Sequence, residues 1–157
     1  MNQEVNSTME STRELFQIMT RRFGLLNKNC CTVGGNDITP VQSHILFEVD
    51  RQHNPSIQQI AETLGTDITT FSRQVQSLIK MNLIKKTPDP ADRRVSTLSL
   101  TVEGKYVATT IDQQMNAYLD EIFSFMTEFE KETVLRSIKL MNQAMAKSDN
   151  CCRPIIG

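Results

Sequence analysis

A charged turn between two short β-prone runs constrains this chain more than any other feature. Residues 89–101 read Asp-Pro-Ala-Asp-Arg-Arg-Val-Ser-Thr-Leu-Ser-Leu-Thr. The preceding Leu83-Ile-Lys-Lys-Thr87 and the following Val95-Ser-Thr-Leu-Ser-Leu100 are rich in β-branched and apolar residues, so they read as hairpin arms with residues 89–94 as the tip. Asp92 and Arg94 lie two positions apart. On a tight tip that spacing lets the carboxylate hold the guanidinium extended, in the posture needed to enter a DNA minor groove. The hairpin follows directly on a helix-turn-helix pattern, and together they predict a winged helix that reads duplex DNA.

The helices around it are legible from their periodicity. Phe16, Met19, Phe23 and Leu26 recur at three- and four-residue steps, which predicts a long amphipathic helix over residues 8–29, ending near Cys30. Residues 32–37, Thr-Val-Gly-Gly-Asn-Asp, read as a turn-rich connection. Thr39 and Pro40 supply an N-cap and a first-turn proline for a second helix with the stripe Val41, Ile45, Leu46 and Val49, stopping before Asn54-Pro55. Ser56 caps a short helix over residues 57–64, whose Ile60, Ala61 and Leu64 face inward, and Gly65 ends it.

A further helix starts around Thr66-Asp67 and runs to Met81, with Ile68, Phe71, Val75 and Leu78 spaced to pack on the earlier helices. Its other face carries Thr69, Thr70, Arg73, Gln76, Ser77 and Lys80. Short polar side chains near the N-terminal end with a long base further along suit a helix lying in the major groove. After the hairpin, Thr101 opens a helix with the stripe Tyr106, Ile111, Met115, Leu119, Ile122 and Phe123. A last helix over residues 127–147 carries Leu135, Ile138, Met141 and Met145. The fold class is therefore mainly α with a small β-hairpin wing.

Charge supports the same division. The chain of 157 residues has a formal net charge of -1, which at first sight argues against a nucleic-acid binder. An electrostatic footprint is local, however. Residues 73–94 hold six basic residues (Arg73, Lys80, Lys85, Lys86, Arg93, Arg94) against two acids, whereas residues 95–150 hold five basic and eight acidic ones. Positive charge thus sits where the groove-reading elements are expected. No apolar run approaches the roughly 20 residues of a membrane span, and the polar N-terminus lacks the apolar region of a secretory signal, so a cytoplasmic location without membrane contact is expected. There is no clustered acid/base pair or phosphate loop, which argues against an enzyme.

The order of parts is specific. Gln-Gln-Ile-Ala-Glu-Thr-Leu-Gly-Thr-Asp-Ile-Thr-Thr-Phe-Ser-Arg-Gln-Val-Gln-Ser-Leu is followed by Asn-Leu-Ile-Lys-Lys, Asp-Pro-Ala-Asp-Arg-Arg, Leu-Ser-Leu-Thr-Val-Glu-Gly and two long helices. This resembles the MarR family of bacterial transcriptional regulators, strongly over residues 57–104 and in architecture over the rest. The resemblance implies a single unit over residues 1–157, with dimerisation helices over 8–31 and 101–152 and a winged helix over 39–100. It implies a homodimer addressing a pseudo-palindromic double-stranded operator, with half-sites about one helical turn apart. By motif, Thr69, Thr70 and Arg73 match the family's recognition-helix positions and Asp92 and Arg94 its wing Asp-x-Arg. Thr66, Gln74, Ser77 and Arg93 complete the expected DNA-facing set.

Four cysteines form two vicinal pairs, Cys30-Cys31 after the first helix and Cys151-Cys152 after the last. A cytosolic chain gains no structural benefit from such pairs. Thiolates are soft ligands for Cu(I), Zn(II), Cd(II) or trivalent arsenic, so the pairs are expected to meet and clamp a soft ion, with no other cofactor required. A second reading makes one thiol a redox sensor resolved by another. A third leaves the cysteines idle, with a small organic effector. His44 and His53 read as structural or exposed rather than as metal ligands. The rival class for the whole chain is a winged-helix docking module with no operator of its own.

Overall fold

The computed structural model describes residues 11–24 and 30–148. In chain order the elements are α1 (Thr12–Arg22), β1 (Cys31–Val33), β2 (Asn36–Ile38), α2 (Pro40–Gln52), α3 (Ile57–Leu64), α4 (Ile68–Lys80), β3 (Ile84–Pro88), β4 (Ser96–Leu100), α5 (Val102–Ser124) and α6 (Glu128–Ala146). Each helix start is written into the local sequence. Ser11, Thr39, Ser56 and Thr127 cap α1, α2, α3 and α6 as capping boxes, each accepting a backbone N–H three residues on while Glu14, Gln42, Gln59 and Glu130 reach back. Asp67 and Thr101 cap α4 and α5.

Two small antiparallel hairpins complete the fold. β3 and β4 pair from Ile84↔Leu100 to Pro88↔Ser96, within a residue of the predicted arms, and form the wing. A bridge from Ser56 to Thr97, with the Leu98 N–H donating to the Pro55 carbonyl at 2.9 Å, fastens the wing to the start of α3.

The other hairpin, β1 with β2, lies where the sequence predicts only a turn-rich connection, and it corrects that reading. Gly34 and Gly35, both at positive φ (57° and 80°), form the two-residue turn that suits the twist of a hairpin. Thr32 donates to Asp37 across it at 2.6 Å. The strands are three residues each, too short for alternation to register, but the buried Val33 and Ile38 anchor them to the core.

The first helix is also shorter than predicted. α1 closes at Arg22, where the Phe23 and Gly24 N–H groups bond back to Met19 and Arg21, and Gly24 turns the chain with φ of 85°. The remainder of the predicted span, residues 8–10 and 25–29, lies outside the described residues.

One core serves the whole winged helix. Ile45, Leu46 and Val49 of α2, Ile60 of α3, and Phe71, Val75 and Leu78 of α4 pack together, roofed by Leu83, Ile84 and Leu98 of the wing and by Val107 and Ile111 of α5. Ile68 does not join them. It stands 58% exposed in the first turn of α4, where the helix has left the body of the protein. α5 is seated at its base by Thr101, whose hydroxyl donates to the Asn82 carbonyl at 2.6 Å and accepts from Gly104 N–H. Gly104 then passes so close to the Leu83 carbonyl that a Cβ would sit 1.8 Å from its oxygen.

The terminal helices contrast with this core. α1 and α6 bury no residue, and Leu15, Met19, Leu135, Ile138, Leu140 and Met145 are exposed. α1 meets α5 where the Tyr118 hydroxyl donates to the Arg22 carbonyl at 3.2 Å and its ring lies 6.4 Å from that of Phe23. Tyr106, placed by the sequence on the apolar stripe of α5, is likewise exposed.

Candidate nucleic-acid interface

The wing tip is a structured turn. Asp89 N–H donates to Val95 O at 2.8 Å, and the Asp89 carboxylate accepts from the N–H groups of Ala91 and Asp92. Asp92 Oδ1 accepts from Arg94 N–H and Nε, both at 3.1 Å, while Oδ2 accepts from Nη2 at 3.2 Å. The guanidinium is held in a two-point fork yet its side chain is 91% exposed. Those hydrogen bonds from Arg94 hold the Asp92 carboxyl below its ordinary pKa. Arg93 is exposed beside them.

The second half of the candidate interface is α4. Thr69, Thr70 and Arg73 are exposed on it, and Lys80 follows at its C-terminal end. The Asp67 cap, whose carboxyl is kept below its ordinary pKa by hydrogen bonds from Thr70, fixes the first turn that carries the two threonines. Thr66 and Gln74 are half-buried, Thr66 with its hydroxyl 3.4 Å from the Leu64 carbonyl. Ser77 is half-buried as well and accepts from Gln42 Nε2 at 3.3 Å. A shallow depression on this flank of α4 is lined by Ser72, Arg73, Gln76, Ser77 and Lys80.

Gln42 is the residue that sequence reasoning passed over. It is 5% exposed in α2. Its position, three and four residues before Ile45 and Leu46, puts a polar side chain in an otherwise apolar register, and that mismatch was the available signal.

The cysteines divide. Cys30 and Cys31 are half-buried at the start of the β1–β2 hairpin rather than at a helix end, with Cys30 N–H donating to Ile38 O at 2.7 Å. Burial, then the neighbouring Cys30 thiol, pushes the Cys31 thiol up to about 12. Cys151 and Cys152 lie outside the described residues. Among the described residues no three His, Cys, Asp or Glu side chains converge as a metal site, and no helix is long and apolar enough to cross a membrane. Away from the groove, Lys105 Nζ of α5 bonds both carboxylate oxygens of Asp50 in α2, at 2.7 and 2.9 Å.

A capped helix with an exposed polar and basic face, bridged by the core to a hairpin that presents a fixed guanidinium, defines a winged helix-turn-helix DNA-binding protein. Residues 38–96 match the model of the MarR family, and the chain has that family's winged-helix fold. Members of the family are transcriptional regulators and not enzymes. The chain is 29% identical over 100 residues to the uncharacterized HTH-type transcriptional regulator YxaD of Bacillus subtilis, covering 64% of this chain and 70% of that protein. It is 30% identical over 93 residues to the HTH-type transcriptional repressor MdtR of the same organism, covering 59% and 60%. The crystal structure of Streptococcus pneumoniae FabT in complex with DNA superposes with a TM-score of 0.73 over 85% of this chain and 94% of that one, at 19% identity, a likeness of fold.

Proposed function

We propose that the chain acts as a homodimeric, effector-released repressor of a pseudo-palindromic operator, with the cysteine pairs taking a soft ion or trivalent arsenical. The observation that carries the DNA-binding half is the Asp92-clamped, exposed Arg94 at the wing tip. The exposed apolar faces of α1 and α6 support the dimer, because apolar area of this extent on helices with no buried residue calls for a second surface. The similarity to MdtR, a transcriptional repressor, supports the sign of regulation.

For the effector, the raised pKa of Cys31 argues against oxidation at that sulfur. A thiol held protonated far above neutral pH is a poor nucleophile toward peroxide, whereas a soft ion displaces the proton as it binds. The Cys30-Cys31 pair sits on a hairpin whose β2 leads directly into α2, so strain there reaches the helix-turn-helix. A small organic effector with idle cysteines is the second reading. A groove of about 430 Å³ favours it, flanked by Asn36 of the hairpin, Met81, Leu83, and Tyr106 and Val107 of α5.

Arg94→Ala is expected to weaken operator binding in mobility-shift titrations without unfolding the protein, and unchanged affinity removes the wing from the interface. Affinity falling steeply with salt distinguishes this from a protein-docking module, since each phosphate neutralised releases counterions. Cys30→Ser combined with Cys151→Ser is expected to leave DNA binding intact and abolish release by arsenite or Cd(II). Normal release by either discards the thiol site.

A further inference from the structure

The hydrogen bond between Gln42 and Ser77 joins residues 35 positions apart and has a fixed direction. Gln42 Oε1 accepts the Thr39 N–H at 3.0 Å, closing the capping box of α2. The amide's two ends are chemically distinct, so this bond decides its orientation: Nε2 must face Ser77, and Ser77 Oγ must accept. A serine hydroxyl has one proton to donate. Thr20, Thr63, Thr110 and Thr133 spend theirs on the carbonyl one helical turn back, but among the described residues Ser77 has no such bond.

With one lone pair taken up by Gln42 Nε2, the Ser77 hydroxyl keeps its proton free to donate elsewhere. Ser77 also lines the shallow depression with Arg73 and Lys80, which stand four residues before and three after it on α4. Two cations and a free O–H donor on one flank of a helix are the group types that bind a backbone phosphate.

We infer that Gln42 is a positioning residue for DNA binding: it acts through Ser77, whose hydroxyl donates to a backbone phosphate held between Arg73 and Lys80. On this assignment Ser77 fixes the register of α4 along the duplex and reads no base, leaving sequence discrimination to the exposed Thr69 and Thr70 near the other end of the helix. The inference rests on the reading of α4 as the groove-lying helix.

Gln42→Glu tests it sharply. The new side chain keeps an oxygen for the Thr39 N–H, so the capping box survives, but an ionised carboxylate has no proton for Ser77 and instead draws the serine hydroxyl inward. The full-length protein is titrated with a duplex that the wild type selects from a randomised pool, with thermal unfolding run on every variant. At pH 8, Gln42→Glu and Ser77→Ala are each expected to lower affinity about tenfold per half-site, the size of one hydrogen bond to a charged acceptor.

The double variant is expected to be no weaker than either single one, because both remove the same donor. Lowering the pH is expected to restore Gln42→Glu toward wild type, since a protonated carboxyl accepts from Thr39 and donates to Ser77. Ser77→Thr, which keeps the hydroxyl, retains affinity. Additive losses mean that the new charge simply repels DNA, and they overturn the relay; so does wild-type affinity for Ser77→Ala, which also decides the matter if Gln42→Glu fails to fold. If Arg73→Ala as well leaves affinity and its salt dependence unchanged, the groove reading of α4 falls together with the relay. Loss in Arg73→Ala with none in Ser77→Ala overturns the relay alone.

Discussion

Gly104 shows how one missing side chain can decide where an element docks. Its Cα lies over the Leu83 carbonyl, and the 1.8 Å that a Cβ would leave to that oxygen is backbone against backbone, so no rotamer change relieves it. Gly104→Ala is expected to destabilise the fold by about 1–3 kcal/mol or more through forced displacement of α5. Urea unfolding measures this, and a near-wild-type midpoint would mean that α5 shifts freely on the wing. The Cys31 thiol supplies a second expectation at this scale. Because burial and Cys30 push it up to about 12, it is protonated at neutral pH and must release its proton to bind a metal ion. Affinity for Cd(II) is therefore expected to rise with pH by about tenfold per unit for each proton released, which calorimetry at several pH values in the reduced protein checks.

The elements begin where their caps say and end where packing decides. Thr39 illustrates the first half: its hydroxyl accepts from Gln42 N–H and its own N–H is taken by the Gln42 side chain. Thr39→Ala is expected to cost about 1 kcal/mol in unfolding experiments, as for other lost N-caps. The wing arms, α2, α3, α4 and the start of α5 were legible because caps, apolar periodicity and turn residues are local signals. The β1–β2 hairpin was not, since two three-residue strands show no alternation and the Gly-Gly pair reads equally well as a loop. Ile68 misled for a related reason. Its spacing from Phe71 and Val75 matches the core stripe, but the first turn of α4 projects beyond the neighbours that would cover it. Of the interface, Asp92 and Arg94 were readable as a pair because two residues of separation bring them together on any tight tip.

At the scale of the whole molecule, the winged helix is self-sufficient and the terminal helices are not. The core buries residues from β1 through the first half of α5, whereas α1 and α6 bury none. If a second copy covers them, stability depends on association, and the thermal midpoint is expected to rise with protein concentration. Scanning calorimetry over a hundredfold range checks this, with Leu140→Glu, on the exposed face of α6, expected to lower the midpoint and shift sedimentation toward the protomer. A concentration-independent midpoint would contradict the dimer.

By itself the sequence determined the winged helix, its caps, the fork at the wing tip and the placing of positive charge, because each depends on residues a few positions apart. Only the tertiary structure decided that Gln42 reaches Ser77, that Gly104 lies against Leu83 and that Lys105 grips Asp50. Those contacts join distant parts of the chain, and their geometry exists only once the shared core has brought the helices together.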